Sequence, residues 1–346
     1  MIELFTVDNI KSMDFYEFEN ILDKTLCDPN PPDLDFFKTI TSEANKILSD
    51  ENDEIRPKDK NKKSGGLVNL STYPRAVILP DLHARRFFLK SVLKWNLDGE
   101  SVVELLEKNK IALLCLGDGV HGEGVYASRW LKAFEEYKRD FRDRDYMDKE
   151  IADSFNLMIA VMLLKIRYND NFHFLKGNHE NITNETGNGN FSFAKYANEG
   201  AMVVEYFEKF YDMELLNTYS DFEKNLPLFV LGKNFLASHA EPQFFFNAEK
   251  IINYREDGDL IEALTWTENF SAKKGTVDDI ISYFFKENDG EKIYYFGGHR
   301  PISSLYNKIN NDRYVQIHNP AKEIAAVINS DIEIDLDRDI KIVPKI

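Results

Sequence analysis

Cysteine is almost missing from this chain, with Cys27 and Cys115 the only two in 346 residues. They form no CxxC pair and supply no disulfide framework. Cys115, inside the apolar run 111–116, reads as a small core residue. No apolar stretch approaches the ~20 residues that span a bilayer. The opening MIELFTVDNI lacks the basic patch and long apolar run of a secretory leader. A reduced, cytoplasmic setting away from membranes is the expectation. Positive charge is also short: 43 Lys and Arg stand against 59 Asp and Glu, a net charge of −16. That field repels nucleic-acid backbones and anionic membranes, so neither is an expected partner. An anionic substrate is still allowed, because bound metal ions are often the largest local charges in a site.

What is present suits an ordered α/β protein. Residues 1–50 read as two helices. Met13, Phe15, Phe18 and Ile21 belong to the first apolar set, Phe36, Phe37, Ile40 and Ile47 to the second, and PNPPD breaks them apart. Residues 51–66 are charged and end in Ser-Gly-Gly, the composition of a linker or mobile surface loop. From Leu67 onward short apolar runs alternate with helical stretches. Runs 76–79, 111–116, 172–175, 228–231, 235–237 and 293–296 read as buried strands. Segments 86–95, 126–141, 151–167, 201–212 and 277–285 read as helices. The charged helix 126–141, followed by RDRD, is expected as a surface excursion. Residues 331–342 alternate charge with Ile or Leu and are expected as a half-buried edge strand.

In open α/β sheets, ligand groups gather just past the carboxyl ends of strands. Five such ends carry polar side chains here. Run 76–79 leads into Asp81 and His83, 111–116 into Asp118, and 172–175 into Asn178, His179 and Glu180. Run 235–237 leads into His239, and 293–296 into His299. Each is weak alone, since a DxH occurs by chance and a lone strand histidine is usually a satisfied core residue. His173, within a strand, and His318, in QIHNP, are read that way. Five in series, all at strand ends, are not coincidence.

The series DLH, GDGVHG, GNHE, SHAEP and GGHRP resembles the calcineurin-like metallophosphoesterases. It is most similar to their phosphoprotein phosphatase branch, whose motifs are GDxHG, GDxVDRG, GNHE, a single His and GH. The resemblance covers roughly residues 70–340. It implies a two-sheet αββα sandwich of the metallo-dependent phosphatase type over 67–346. Residues 1–66 form an N-terminal helical extension and charged linker. The resemblance also implies two divalent transition-metal ions, manganese first, with iron or zinc also suited to such donors. Asp81, His83 and Asp118 would hold one ion; Asp118 would bridge to the other, completed by Asn178, His239 and His299. A hydroxide shared by the ions would attack a phosphate monoester, protein-borne or small, while His179 protonates the leaving alcohol. Glu180 would orient the loop. Two divalent ions and two carboxylates leave about +2 to attract phosphate.

The second motif departs from that branch. His121 stands where an Asp normally pairs with the catalytic histidine, and Gly122 where an Arg normally grips phosphate. His121 is assigned to hold His179 by accepting a hydrogen bond from it. Ala84 replaces the usual Gly of the first motif. Arg85, Arg86, Arg129 and Arg300 are candidates for a relocated clamp, because Arg offers phosphate a bidentate fork. Arg300, directly after His299, is favoured; with Arg85 and Asn178 it makes the substrate-binding set. The others have the ordinary reading of a surface salt bridge. A phosphodiesterase or dinucleotide polyphosphate hydrolase is the alternative enzyme, disfavoured because GGHRP lacks a second His after His299. A non-catalytic metal-bound scaffold is the alternative outside enzymology.

Overall fold

The fold comes from a computed structural model that describes residues 5–286 and 292–346. The first strands are β1 (Leu67–Asn69), β2 (Arg75–Leu79), the hairpin β3 (Asn96–Leu97) and β4 (Glu100–Ser101), β5 (Ala112–Cys115) and β6 (Phe172–Phe174). After them come β7 (Phe229–Leu231), β8 (Phe235–Ser238), β9 (Tyr294–Gly297), β10 (Asn307–Ile309), β11 (Tyr314–Gln316), β12 (Ile324–Asn329) and β13 (Ile340–Ile342). They assemble into a sheet of order β13-β12-β2-β5-β6 and a second of order β1-β7-β8-β9-β11-β10. β2, β5 and β6 run parallel, as do β8, β9 and β11. All six expected runs are strands.

The period-two alternation of side chains builds the layers. Ala76, Ile78, Ala112 and Leu114 face the gap between the sheets and meet Val230, Ala237, Phe296 and Val315 from the other side. Their neighbours Val77, Leu79, Leu113 and Cys115 face one helical layer. Phe229, Leu236, Tyr295 and Tyr314 face a second, made by helices Ala248–Ile252, Gly258–Thr265 and Thr276–Phe284. Each large apolar side chain so buried contributes roughly 1.5–3 kcal/mol. The result is helix, sheet, sheet, helix, the expected αββα sandwich.

The N-terminal residues differ in detail from expectation. They form three helices, α1 (Val7–Ser12), α2 (Phe15–Cys27) and α3 (Leu34–Ser49). The Asp14 carboxylate accepts from the Tyr16 and Glu17 backbone N–H groups and so starts α2 afresh. Next come α4 (Arg86–Lys94), α5 (Val102–Glu107), α6 (Ala127–Tyr137) and α7 (Asp145–Arg167). α7 is apolar and buried nearly all round, because α1, α2, α3, α4, α6 and β6 surround it. The surface excursion is therefore α6 alone, and α6 still buries Trp130 and Ala133.

Residues 51–66 are irregular but pinned. Fully buried Arg56 donates to the Glu51 carboxylate and to the carbonyls of Gly65 and Asn225. Lys165 of α7 donates to the same carboxylate. The expected strand 331–342 is mostly not one. Asp335 caps a short helix, Leu336–Asp339, and only β13 pairs, at the sheet edge. Among the described residues no helix is long and apolar enough to cross a membrane.

Candidate metal centre

Six turns converge at the carboxyl ends of β2, β5, β6, β8, β9 and β11. The first five bring Asp81 and His83, Asp118, Asn178 and His179, His239, and His299. The sixth, after β11, brings His318. Several of these residues sit in the left-handed region that L side chains avoid: His83 (φ 41°), Asp118 (φ 49°), His121 (φ 61°) and His299 (φ 60°). Surrounding hydrogen bonds hold that strain. The Glu180 carboxylate accepts from the N–H groups of Gly177 (2.6 Å), Asp118 (2.9 Å) and Gly119 (2.8 Å). Glu180 thus joins the β5 and β6 turns, as the motif implied. The His83 N–H donates to the Asp118 carbonyl at 2.6 Å.

The ring nitrogens show what the site lacks. His83 Nδ1 donates to the His121 carbonyl at 3.1 Å, so its Nε2 is an acceptor, 3.8 Å from Asp81 Oδ2 and 3.6 Å from Asp118 Oδ2. His239 Nδ1 donates to the Leu116 carbonyl at 2.9 Å. Its Nε2 faces Asn178 Oδ1 at 3.0 Å and Asp118 Oδ2 at 3.4 Å. Asn178 Oδ1 also lies 2.9 Å from His299 Nδ1. At His83 and His239 a lone pair therefore faces the lone pairs of oxygen atoms. His299 Nε2 and both nitrogens of His318 are buried with no hydrogen-bond partner. A fixed tautomer with its free nitrogen aimed at carboxylates is the arrangement of metal-ligating histidine. Three sets have donor atoms within 4.8 Å of one another: Asp81, His83 and His318; His83, Asp118 and His179; Asp118, His239 and His299. These residues fit divalent ions.

Ionisation agrees with that donor set. Burial, and then neighbouring imidazoles, pull His299 to about 4, while burial with Glu123 opposing pulls His83 to about 4. His239 and His179 fall well below the usual histidine range for the same first reason. Burial raises the Asp81 carboxyl to about 6, and raises Asp118, beside Glu180 and Asp81, well above its usual range. Neutral imidazoles and mutually repelling carboxylates are what a cation between them stabilises.

The structure brings together all six residues expected as ligands, and it corrects one reading. His318 is no core histidine: it is 1% exposed and its Nδ1 lies 3.7 Å from Asp81 Oδ2. Its run, YVQI before His-Asn-Pro, has the same strand-end form as the other five. His173 is structural as read, lying between Lys165 Nζ and the Asp170 carbonyl. Glu123, two residues past His121, belongs to none of the five motifs. Its Oε2 lies 3.5 Å from His83 Nε2 and 3.6 Å from His318 Nε2, and Lys195 pairs with its other oxygen.

His121 Nδ1 lies 3.0 Å from His179 Nδ1, and its ring stacks on Phe193 at 4.9 Å. Gly122 leaves no room for an arginine, because a Cβ there would lie 2.7 Å from the Tyr126 ring. The candidate clamps are otherwise engaged. Arg85 is half-buried and donates to the carbonyls of Asp81, Leu82 and Asn319, bracing two ligand turns rather than facing a substrate. Arg129 pairs with Glu150 and Asp153, and Arg86 with Asp153. Arg300 lies at the rim, with its side chain 34% exposed and paired to Glu268.

A sequence model described as calcineurin-like phosphoesterase matches residues 74–319. Among solved structures, the chain is similar to a protein serine/threonine phosphatase from Saccharomyces cerevisiae that has similarity to human phosphatase PP5. The two are 15% identical, with 90% of this chain and 89% of that one covered and a TM-score of 0.52. It is also similar to a cold-active protein-tyrosine phosphatase of a psychrophilic Shewanella. That pair is 13% identical over 86% and 84% of the chains, with a TM-score of 0.45. At these identities the likeness concerns the fold alone. No curated protein matches the chain.

Proposed function

The chain belongs to the calcineurin-like phosphoesterase family, and from that premise we propose that it hydrolyses phosphate monoesters with two divalent ions, manganese first. The observation that carries this is the pair of buried acceptor nitrogens on His83 and His239, which face carboxylates, with His299 and His318 in the same donor groups. Asp81, His83, Asp118 and His318 would hold one ion; Asp118, Asn178, His239 and His299 would hold the other. When bound, the ions supply positive charge to phosphate oxygens and bring a water's pKa towards neutrality.

The chain's own residues do the rest. His179 in its imidazolium form, which burial makes the minor form near neutral pH, gives its Nε2 proton to the leaving oxygen as the P–O bond breaks. It ends neutral, with the Nδ1 hydrogen still donated to His121. Phe193, 4.0 Å from the His179 ring, shields the pair from water. Glu180 keeps the Asp118 and Asn178 turns in register.

One observation favours a second reading, a phosphodiesterase. Among the described residues Arg85, Arg86, Arg129 and Arg300 are all engaged elsewhere, and Glu123 lies beside His83. A singly charged diester suffers less from that carboxylate than a doubly charged monoester. His318 also supplies the imidazole that seemed to be missing after His299. Assays of p-nitrophenyl phosphate and its bis-ester, with and without Mn²⁺, decide. Metal-dependent turnover of the monoester is expected. Turnover of the bis-ester alone establishes the second reading, and metal uptake with neither activity leaves only a scaffold.

A further inference from the structure

We propose that Glu123 is a protein ligand of the first ion, beside Asp81, His83, Asp118 and His318. This rests on the metal-dependent reading above and goes beyond the ligands that the motifs imply.

Three observations carry it. Glu123 Oε2 lies 3.5 Å from His83 Nε2 and 3.6 Å from His318 Nε2. His83 has committed its ring hydrogen to the His121 carbonyl, so the Nε2 facing Glu123 has no proton to donate. Acceptors do not settle against each other unaided. Donors sharing one ion at about 2.0–2.2 Å, with angles near 90–110°, stand about 3–3.6 Å apart, which is the spacing here. Second, His318 is 1% exposed, and neither of its nitrogens has a hydrogen-bond partner. Its Nε2 faces Glu123 Oε2 at 3.6 Å and its Nδ1 faces Asp81 Oδ2 at 3.7 Å.

Third, the Glu123 side chain is only 11% exposed, and its one cationic partner, Lys195, has a side chain 42% exposed. Serving Lys195 alone would leave the carboxylate better placed at the surface. A cation shared with the two imidazoles would offset the desolvation of that carboxylate.

The local sequence permits this turn. Glu123 lies between Gly122 and Gly124, and Gly124 adopts φ 59°. The glycine that replaces the branch's phosphate-gripping arginine is therefore next to the added ligand. A third carboxylate lowers the centre's charge from about +2 to about +1. It also takes a place on the first ion that a phosphate oxygen would otherwise use. Substrate then enters from the second ion's side, where Arg300 directly follows His299.

The test is calorimetric titration of Mn²⁺ into chelator-stripped parent, Glu123→Gln and Lys195→Met. The parent is expected to take up two ions. Glu123→Gln should weaken one dissociation constant by at least 10–100-fold and leave the other nearly unchanged. Co²⁺ loading of that site should then give a more intense visible band, as one ligand is lost. Lys195→Met keeps Glu123 in place and should tighten the same constant, because the lysine no longer competes for the carboxylate. Unchanged constants in both variants overturn the proposal. A parent that takes up no ion is a different failure: it removes the metal-dependent reading itself, and the role of Glu123 with it.

Discussion

His179 and His121 share a proton across the 3.0 Å between their Nδ1 atoms, and the other nitrogen of His179 lies 3.8 Å from Asp118 Oδ2. Burial holds His121 down to about 3, so it is neutral wherever the protein works. His179→Ala should leave metal content intact yet lower kcat by ~10²–10⁴-fold on alkyl phosphates. The loss should shrink on p-nitrophenyl phosphate, whose leaving group scarcely needs a proton; equal losses on both would end the acid assignment. His121→Asp puts a negative charge beside His179, which favours the imidazolium and raises its pKa. The alkaline limb of kcat/KM should move to higher pH. A raised KM with an unmoved limb would mean that residue 121 faces substrate instead. At this scale most of the site was legible, because each ligand follows an apolar run at a strand end. His318 obeyed the same rule and was overlooked for lack of a named motif. Glu123 was illegible, since a turn glutamate is usually solvated and only the folded turn aims it inward.

The turns that carry these residues are packed too closely to change freely. A Cβ on Gly298, just after β9, would lie 1.8 Å from Asp81 Oδ1, and the next residue is His299. Gly298→Ala should therefore lower metal affinity at least tenfold while thermal unfolding of the metal-free protein moves little. A large loss of metal-free stability with normal affinity would contradict this.

A second buried cluster ties residues 51–66 to α7. Burial alone would raise the Glu51 carboxyl, but Lys165, Arg56 and His173 overcome it and bring it to about 2. A depressed carboxyl stabilises fully above its unfolded value of 4.5, and that stability fades as pH falls towards 2. Glu51→Gln should cost about 3–5 kcal/mol at pH 7, because it leaves two buried cations uncompensated. Urea unfolding of both proteins should show the gap constant above about pH 5 and narrowing below it. A gap independent of pH would remove the ion pairs as its cause. Strands were readable from sequence because each is a short apolar run between turn residues. The pinning of 51–66 was not, since Arg56 finds its partners only when Asn225 and Gly65 arrive from far along the chain.

For the whole molecule, the centre couples folding to metal. Without cations, burial pushes the Asp81 carboxyl up to about 6, and burial with Glu180 and Asp81 beside it pushes Asp118 well above its usual range. Ions at about a hundredfold excess over their dissociation constant add about 2.7 kcal/mol. For a chain of this size that is roughly 3–5 °C in Tm. EDTA should lower Tm by that amount and Mn²⁺ should restore it, while added KCl should do neither. Unchanged melting after complete stripping would show that the carboxylates are accommodated without metal. The αββα arrangement came into view through its motifs. Periodicity alone showed an α/β sheet and left open that two sheets meet face to face.

The most direct test of the dinuclear centre is elemental analysis of Mn²⁺-loaded, desalted protein, with Asp118→Asn measured alongside. Asp118 Oδ2 faces both His83 and His239. Two ions per chain are expected in the parent and fewer in Asp118→Asn. No ion in the parent, or only one, would contradict the dinuclear centre.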